Sequence, residues 1–168
     1  VMVTGHRIQH LTPDMRPWVR AELARLAVKL RDEHGMTAGI CGMAIGADLW
    51  WADAVVRAGL RLEAHVPFPQ QPNKWRDEDR AEWSRLLGLA AQTVTYGDGY
   101  DVRLLHRRNE GMIRACSAAV AVFDTRKSAG GTASAVRKLI RAGVPVVHVD
   151  PVGQRTTLRR TQSPSQVA

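Results

Sequence analysis

Cysteine is scarce: Cys41 and Cys116 are the only two among 168 residues, and both lie in apolar surroundings. That scarcity excludes a disulfide scaffold and predicts reduced core thiols rather than a metal pair. No apolar run approaches the ~20 residues of a membrane-spanning helix, and no signal-type segment precedes the first apolar stretch. A cytoplasmic protein without membrane contact is the expectation. The chain opens at Val1 in mid-pattern with no initiator methionine, which predicts a short leader trimmed or left out. Two phosphate-binding signatures are missing too: no lysine follows a glycine turn in Walker register, and no G-x-G-x-x-G spacing occurs. No Ser-His-Asp or Cys-His order is recognisable either.

What is present is ordinary for a globular protein, with 45% apolar and 24% charged residues, and the length suits one domain with a real core. A net charge of +8, from 24 Lys plus Arg against 16 Asp plus Glu, favours an anionic partner, either a nucleotide or nucleic acid. Part of that excess lies after residue 150, where Arg155, Arg159 and Arg160 stand among Thr, Gln, Ser and Pro. Almost nothing apolar accompanies them, so residues 151–168 are expected to be a basic, disordered tail behind one domain at 1–150.

Hydrophobic periodicity within that domain alternates between short apolar runs and amphipathic stretches. Strands are expected over 1–4, 38–41, 62–66, 93–96, 118–123 and 144–149, with helices between them. The first helix has Thr12 as a candidate cap, Pro13 at its first position and Asp14 against the dipole; Gly35 stops it. Such alternation predicts an α/β fold: a single Rossmann-like three-layer domain, with a mostly parallel sheet of about six strands and helices on both faces. Ligands of such sheets bind beyond the carboxyl ends of the strands.

The unusual loops all fall at that edge. After the second strand comes Gly42-Met43-Ala44-Ile45-Gly46-Ala47-Asp48, a glycine turn running into a helix. Unpaired N–H groups and the helix dipole favour an anion there, and glycine lets a phosphate approach the backbone. Ser128-Ala129-Gly130-Gly131-Thr132 repeats the arrangement after the fifth strand, with Thr132 as cap or hydroxyl donor. Gly5-His6-Arg7 follows the first strand and Pro67 opens a proline loop after the third. Leu104, Leu105 and Met112 flank Arg108 on the apolar side of its helix, so this arginine needs an anionic partner. Asp48 is either a dipole partner or a hydrogen-bonding group for a ribose. His6 and His10 straddle a turn, so no metal site is expected. For each motif the alternative is purely structural: a tight turn, a cap or a solvated charge.

Taken together these residues resemble the SLOG superfamily of Rossmann-like proteins. That group includes the cytokinin-activating phosphoribohydrolases often labelled lysine decarboxylase, DNA-processing protein A and the YpsA-like proteins. Thr4-Gly5-His6-Arg7 looks like the first-strand Gly-x-Arg turn, and Gly42 to Asp48 is similar to the G-G-A-x-G-x-D turn. Arg108-Asn109 matches the Arg-Asn pair and Gly130-Gly131-Thr132 the last glycine turn; with Val66-Pro67-Phe68-Pro69-Gln70 the pattern is closest to the YpsA-like branch. The resemblance implies a nucleotide or nucleotide-derived ligand, such as an NAD- or ADP-ribose-type molecule, across the strand ends. It also implies a sensing, carrying or sequestering role, no required cofactor and a possible homodimer. The phosphoribohydrolases carry a glutamate three residues after the threonine of their glycine element, and Ala135 stands there in this chain. Catalysis would then fall to Arg108, Glu110 or Asp48. The expected arrangement has phosphate on the turns at 42–48 and 130–132, Arg108 neutralising it, and Arg7 or Asn109 at the sugar or base. Hydrolysis of a nucleoside monophosphate is one alternative, and single-stranded DNA binding is the other.

Overall fold

Apolar strands separated by helices of 11 to 20 residues cannot pair through hairpins, so each connection crosses over and its strands run parallel. In the computed structural model, which describes residues 1–127 and 129–159, this is the observed architecture. Chain order is β1 (Met2–Gly5), α1 (Met15–His34), β2 (Ala38–Cys41), α2 (Ala47–Arg57), β3 (Arg61–Val66) and α3 (Asp77–Gly88). It continues with β4 (Gln92–Thr95), α4 (Val102–Ala115), β5 (Ala119–Val122), α5 (Gly131–Arg141), β6 (Val146–Asp150) and β7 (Arg155–Arg159). The sheet order is β4-β3-β2-β1-β5-β6-β7, parallel except for β7, which pairs antiparallel with β6. This is a Rossmann-like α/β domain.

Side chains alternate across the pleat and divide the core in two. Val3, Cys41, Val120, Val122 and Val149 meet α1, α2 and α3 on one face. On the other, Met2, Ile40, Ala119, Ala121 and Val146 meet Met112 of α4 and Val136 and Leu139 of α5. Burial pushes the Cys41 thiol up to about 12, as suits an inert core residue. Among the described residues, no helix is long and apolar enough to cross a membrane.

Three local expectations are corrected. Arg155–Arg159 is a seventh strand rather than the start of a disordered tail, paired from Asp150↔Arg155 to Val146↔Arg159; residues 160–168 lie outside the described ones. An edge strand needs no apolar alternation when its outer side faces water, so a stretch with one leucine still pairs. Second, α1 begins at Met15 behind Asp14, with no side-chain cap; the Thr12 backbone carbonyl closes a turn before it by accepting the Met15 N–H at 3.0 Å. Third, Thr132 does not cap α5. Its hydroxyl donates to the Gly5 carbonyl at 3.0 Å.

Candidate functional site

From β1 the chain moves to β2 on one side, whereas β5 pairs with β1 on the other, so the sheet has its topological switch point between β1 and β5. Crossover connections leave in opposite directions there and open a crevice beyond the strand ends. A cavity of about 630 Å³ fills it. The β1 turn, the loop leading into α5 and one face of α4 form its walls.

Both glycine turns reach this edge, with different outcomes. Around α2 the turn is closed from behind. The Ala47 N–H donates to the His6 carbonyl at 3.3 Å, and Gly46 forms an isolated bridge with Arg7. A Cβ on Gly5 would stand 2.5 Å from that of Ala47, so the β1 turn lies directly against the start of α2. At Gly42 the space above the backbone is filled by the Arg108 guanidinium, whose Nη1 donates to the Gly42 carbonyl. The N-terminus of α5 is open by contrast: a Cβ on Gly130 or Gly131 would meet nothing within 4 Å.

Arg108 does point inward, as its apolar flanks imply, and is only 7% exposed. Besides the Gly42 carbonyl its partner is Asp48, with Nη1 3.8 Å from Oδ2, and Asp48 also accepts the Ala44 N–H at 3.3 Å. Burial raises the Asp48 carboxyl above its ordinary range, and the neighbouring guanidinium offsets that in part. Arginine keeps its proton even here. Nη1 of Arg108 is therefore engaged inside the protein, while its buried Nε has no hydrogen-bond partner among the described residues. Through Nη1 it braces the 42–48 turn, and it also lines the cavity.

Of the residues singled out in the sequence, Gly5, His6, Arg7, Ala44, Asp48, Arg108, Asn109, Gly130, Gly131 and Thr132 line the cavity. Gly42, Met43, Gly46, Ala47 and Pro67 do not; the first four are buried and shape the turn. The proline loop braces the same turn from outside, since Gln71 Nε2 donates to the Gly42 carbonyl at 3.1 Å. Glu110 is turned away and pairs with Lys138 at 2.8 Å. Ser128 lies outside the described residues.

The cavity is also lined by residues that no sequence motif marks: Lys127, beside the α5 glycines, and Val102, Leu105, His106 and Met112 of α4. Positions 102, 105, 109 and 112 form one helical stripe, a spacing that marks a common face. Across the cavity, His6 Nε2 accepts the Asp124 N–H at 2.9 Å. Burial, with Lys127 and His10 nearby, lowers the His6 pKa from 6.5 to about 4, so the ring is neutral at pH 7. Its centroid lies 5.7 Å from that of His10. Asp124 is held at about 2 by Arg126, whose Nε and Nη2 both donate to it at 2.9 Å.

A larger hollow of about 810 Å³ lies at the opposite strand ends, floored by Leu26, Leu30 and Val147. Its Arg25 and Lys29 are already paired with Glu22 and Glu33. The glycine turns and Arg108 belong to the smaller cavity.

Solved structures share this architecture, two of them as follows. DNA processing protein A from Streptococcus pneumoniae superposes with a TM-score of 0.65 at 15% identity, over 88% of this chain and 48% of that one. The fold is similar to that of DNA processing protein A. The same protein from Helicobacter pylori, whose structure is described in terms of its single-stranded DNA binding, gives 0.62 at 14% identity, over 88% of this chain and 64% of that one. The chain thus spans about half the length of the first of these proteins and somewhat under two thirds of the second. No protein-family model matches the sequence, and no curated protein does.

Proposed function

We propose that the cavity binds a phosphorylated, nucleotide-derived ligand, its phosphate against the N-terminus of α5. The open backbone at Gly130 and Gly131, facing a crevice at the switch point, carries this reading. Orphan N–H groups and the helix dipole attract an anion there, and Arg7 and Lys127 add positive charge at the rim. The apolar stripe of Val102 and Leu105 suits the flat face of a base, while Asn109 and Asp48 offer hydrogen bonds to a sugar. About 630 Å³ is in the usual range for a small-molecule site. An NAD- or ADP-ribose-type molecule and a simple nucleotide are the candidate occupants, held for sensing, carriage or sequestration. Binding is favoured over hydrolysis because Glu110 is ion-paired off the cavity and Ala135 is buried in α5.

A thermal-shift panel of AMP, NAD and ADP-ribose tests it. At about a hundred times Kd, binding to the folded state is worth about 2.7 kcal/mol, so one of these should raise Tm by about 5–10 °C. No shift from any of them at millimolar concentration would contradict the proposal. Gly131→Ala separates binding from folding. Alanine suits the first turn of α5 and leaves Tm equal or higher, yet its methyl group stands where the phosphate approaches, so the shift should shrink.

Single-stranded DNA is the second reading, favoured by the net charge of +8 and by the fold shared with DNA processing protein A. It predicts oligonucleotide affinity that falls steeply with salt. Affinity that persists without the basic residues after position 154, and that AMP competes away, would assign the DNA to the same cavity.

A further inference from the structure

The loop between β5 and α5 is gripped at both ends by two consecutive residues of the β1 turn. At its start, the Asp124 N–H donates to His6 Nε2 at 2.9 Å; at its end, the Thr132 hydroxyl donates to the Gly5 carbonyl at 3.0 Å. Gly5 and His6 are themselves fixed to β5, since β1 pairs Gly5↔Val122 and the His6 N–H donates to the Val122 carbonyl at 2.9 Å. Between the two grips the loop supplies Lys127, Ala129 and Gly130 to the cavity. Thr132 is a symmetric partner that any pH leaves intact. The histidine is not, because its acceptor nitrogen exists only in one tautomer of the neutral ring.

We propose that His6 is a positioning residue of the cavity: as a neutral ring carrying its proton on Nδ1, it accepts the Asp124 N–H and fixes the loop that presents the α5 N-terminus. Protonation puts a hydrogen on Nε2, facing the Asp124 N–H, and the grip is lost. The groups around the ring come from each neighbouring element. Arg7 and His10 follow it in the chain, Asp124, Arg126 and Lys127 belong to the loop, and Asp48, His106 and Arg108 line the far side of the cavity. Cations outnumber carboxylates in that set, and the ring is only 8% exposed, so the neutral form prevails until the pH falls towards about 4. The sign follows: the unfolded chain binds the proton below about 6.5 and the folded one does not until about 4, so stability is lost as the pH is lowered through that window and regained as it rises.

The grip stands on its own geometry, whereas its effect on a ligand rests on the function proposed above. Ring ¹⁵N shifts of the parent protein at pH 7 should show a protonated Nδ1 and a bare Nε2 at His6. His6→Phe removes the acceptor; His6→Gln supplies a carbonyl oxygen in its place. Exchange of the Asp124 amide should speed up about tenfold or more in His6→Phe and much less in His6→Gln. AMP affinity should follow the same order, with a similar loss in His6→Phe. A proton on Nε2, or an Asp124 amide equally protected in parent and His6→Phe, would overturn the proposal. So would a His6→Phe protein that binds AMP as the parent does. If no variant and no parent binds AMP, the functional reading fails alone, and tautomer and exchange still decide the grip.

Discussion

Arg108→Ala is expected to lower the unfolding free energy by about 3–5 kcal/mol, the usual consequence of removing one partner of a buried ion pair. Asp48, buried in the parent, would lose its nearest cation, and the Gly42 carbonyl would keep only the Gln71 amide as a side-chain partner. In a chain of this size that corresponds to a Tm lower by about 6–20 °C. Adding Asp48→Asn to the same background should recover part of the loss, because the orphaned charge goes with it; the two substitutions should couple by more than about 1 kcal/mol in a double-mutant cycle. The sign with pH is also determined. Without its guanidinium, Asp48 is pushed still further above its ordinary 3.8 in the folded state. A carboxyl raised on folding contributes stability at low pH that is lost as the pH rises through its folded value. The deficit of Arg108→Ala against the parent should therefore widen from pH 4 towards neutrality, and His6 contributes equally to both proteins. Urea melts at several pH values check this. A loss below about 1 kcal/mol, or one independent of pH, would show that Arg108 does not brace the turn.

Gly46→Ala is the second substitution with a large expected cost. Gly46 has φ of 105° and ψ of −127°, a region that side chains avoid. An added Cβ would stand 2.7 Å from the Ile8 nitrogen and 2.9 Å from the His6 carbonyl oxygen, both backbone atoms that cannot step aside. Strain and steric overlap together should cost about 2–5 kcal/mol. The damage should spread beyond stability, because the same contact lets His6 accept the Ala47 N–H and so sets the β1 turn. Weakened AMP binding along with a lower Tm is the expected pair of results, in contrast to Gly131→Ala, which should affect binding only. A Gly46→Ala protein that melts with the parent would mean that the β1 and α2 turns are not in contact.

Much of this architecture is legible in the sequence because the strands are short, apolar and separated by helical stripes. β2 and the start of α2 fall where Ala38, Cys41 and Ala47 imply, and β5 is apolar throughout because helices cover both its faces. The β7 strand was not legible. Its pairing rests on backbone hydrogen bonds with β6, and Arg155-Thr156-Thr157-Leu158-Arg159 carries no apolar alternation to announce it. The site divides in the same way. Three turns at one edge follow from the alternation of strands and helices, and the inward aim of Arg108 follows from Leu104 and Met112. Which glycine turn stays open does not follow, since it depends on long-range contacts: Arg108 on Gly42, and the His6 carbonyl on Ala47. Thr132 is a similar case, a residue suited to capping its own helix that bonds to β1 instead.

Everything in the functional proposal depends on an anion seated at the α5 N-terminus. Titrating ¹⁵N-labelled protein with ADP-ribose and following the backbone amides measures this directly. The largest shifts should fall on Lys127, Gly130, Gly131 and Thr132, saturate with one common Kd, and be reproduced in part by inorganic phosphate. Shifts confined to the exposed arginines of β7, or none at millimolar ligand, would contradict the account.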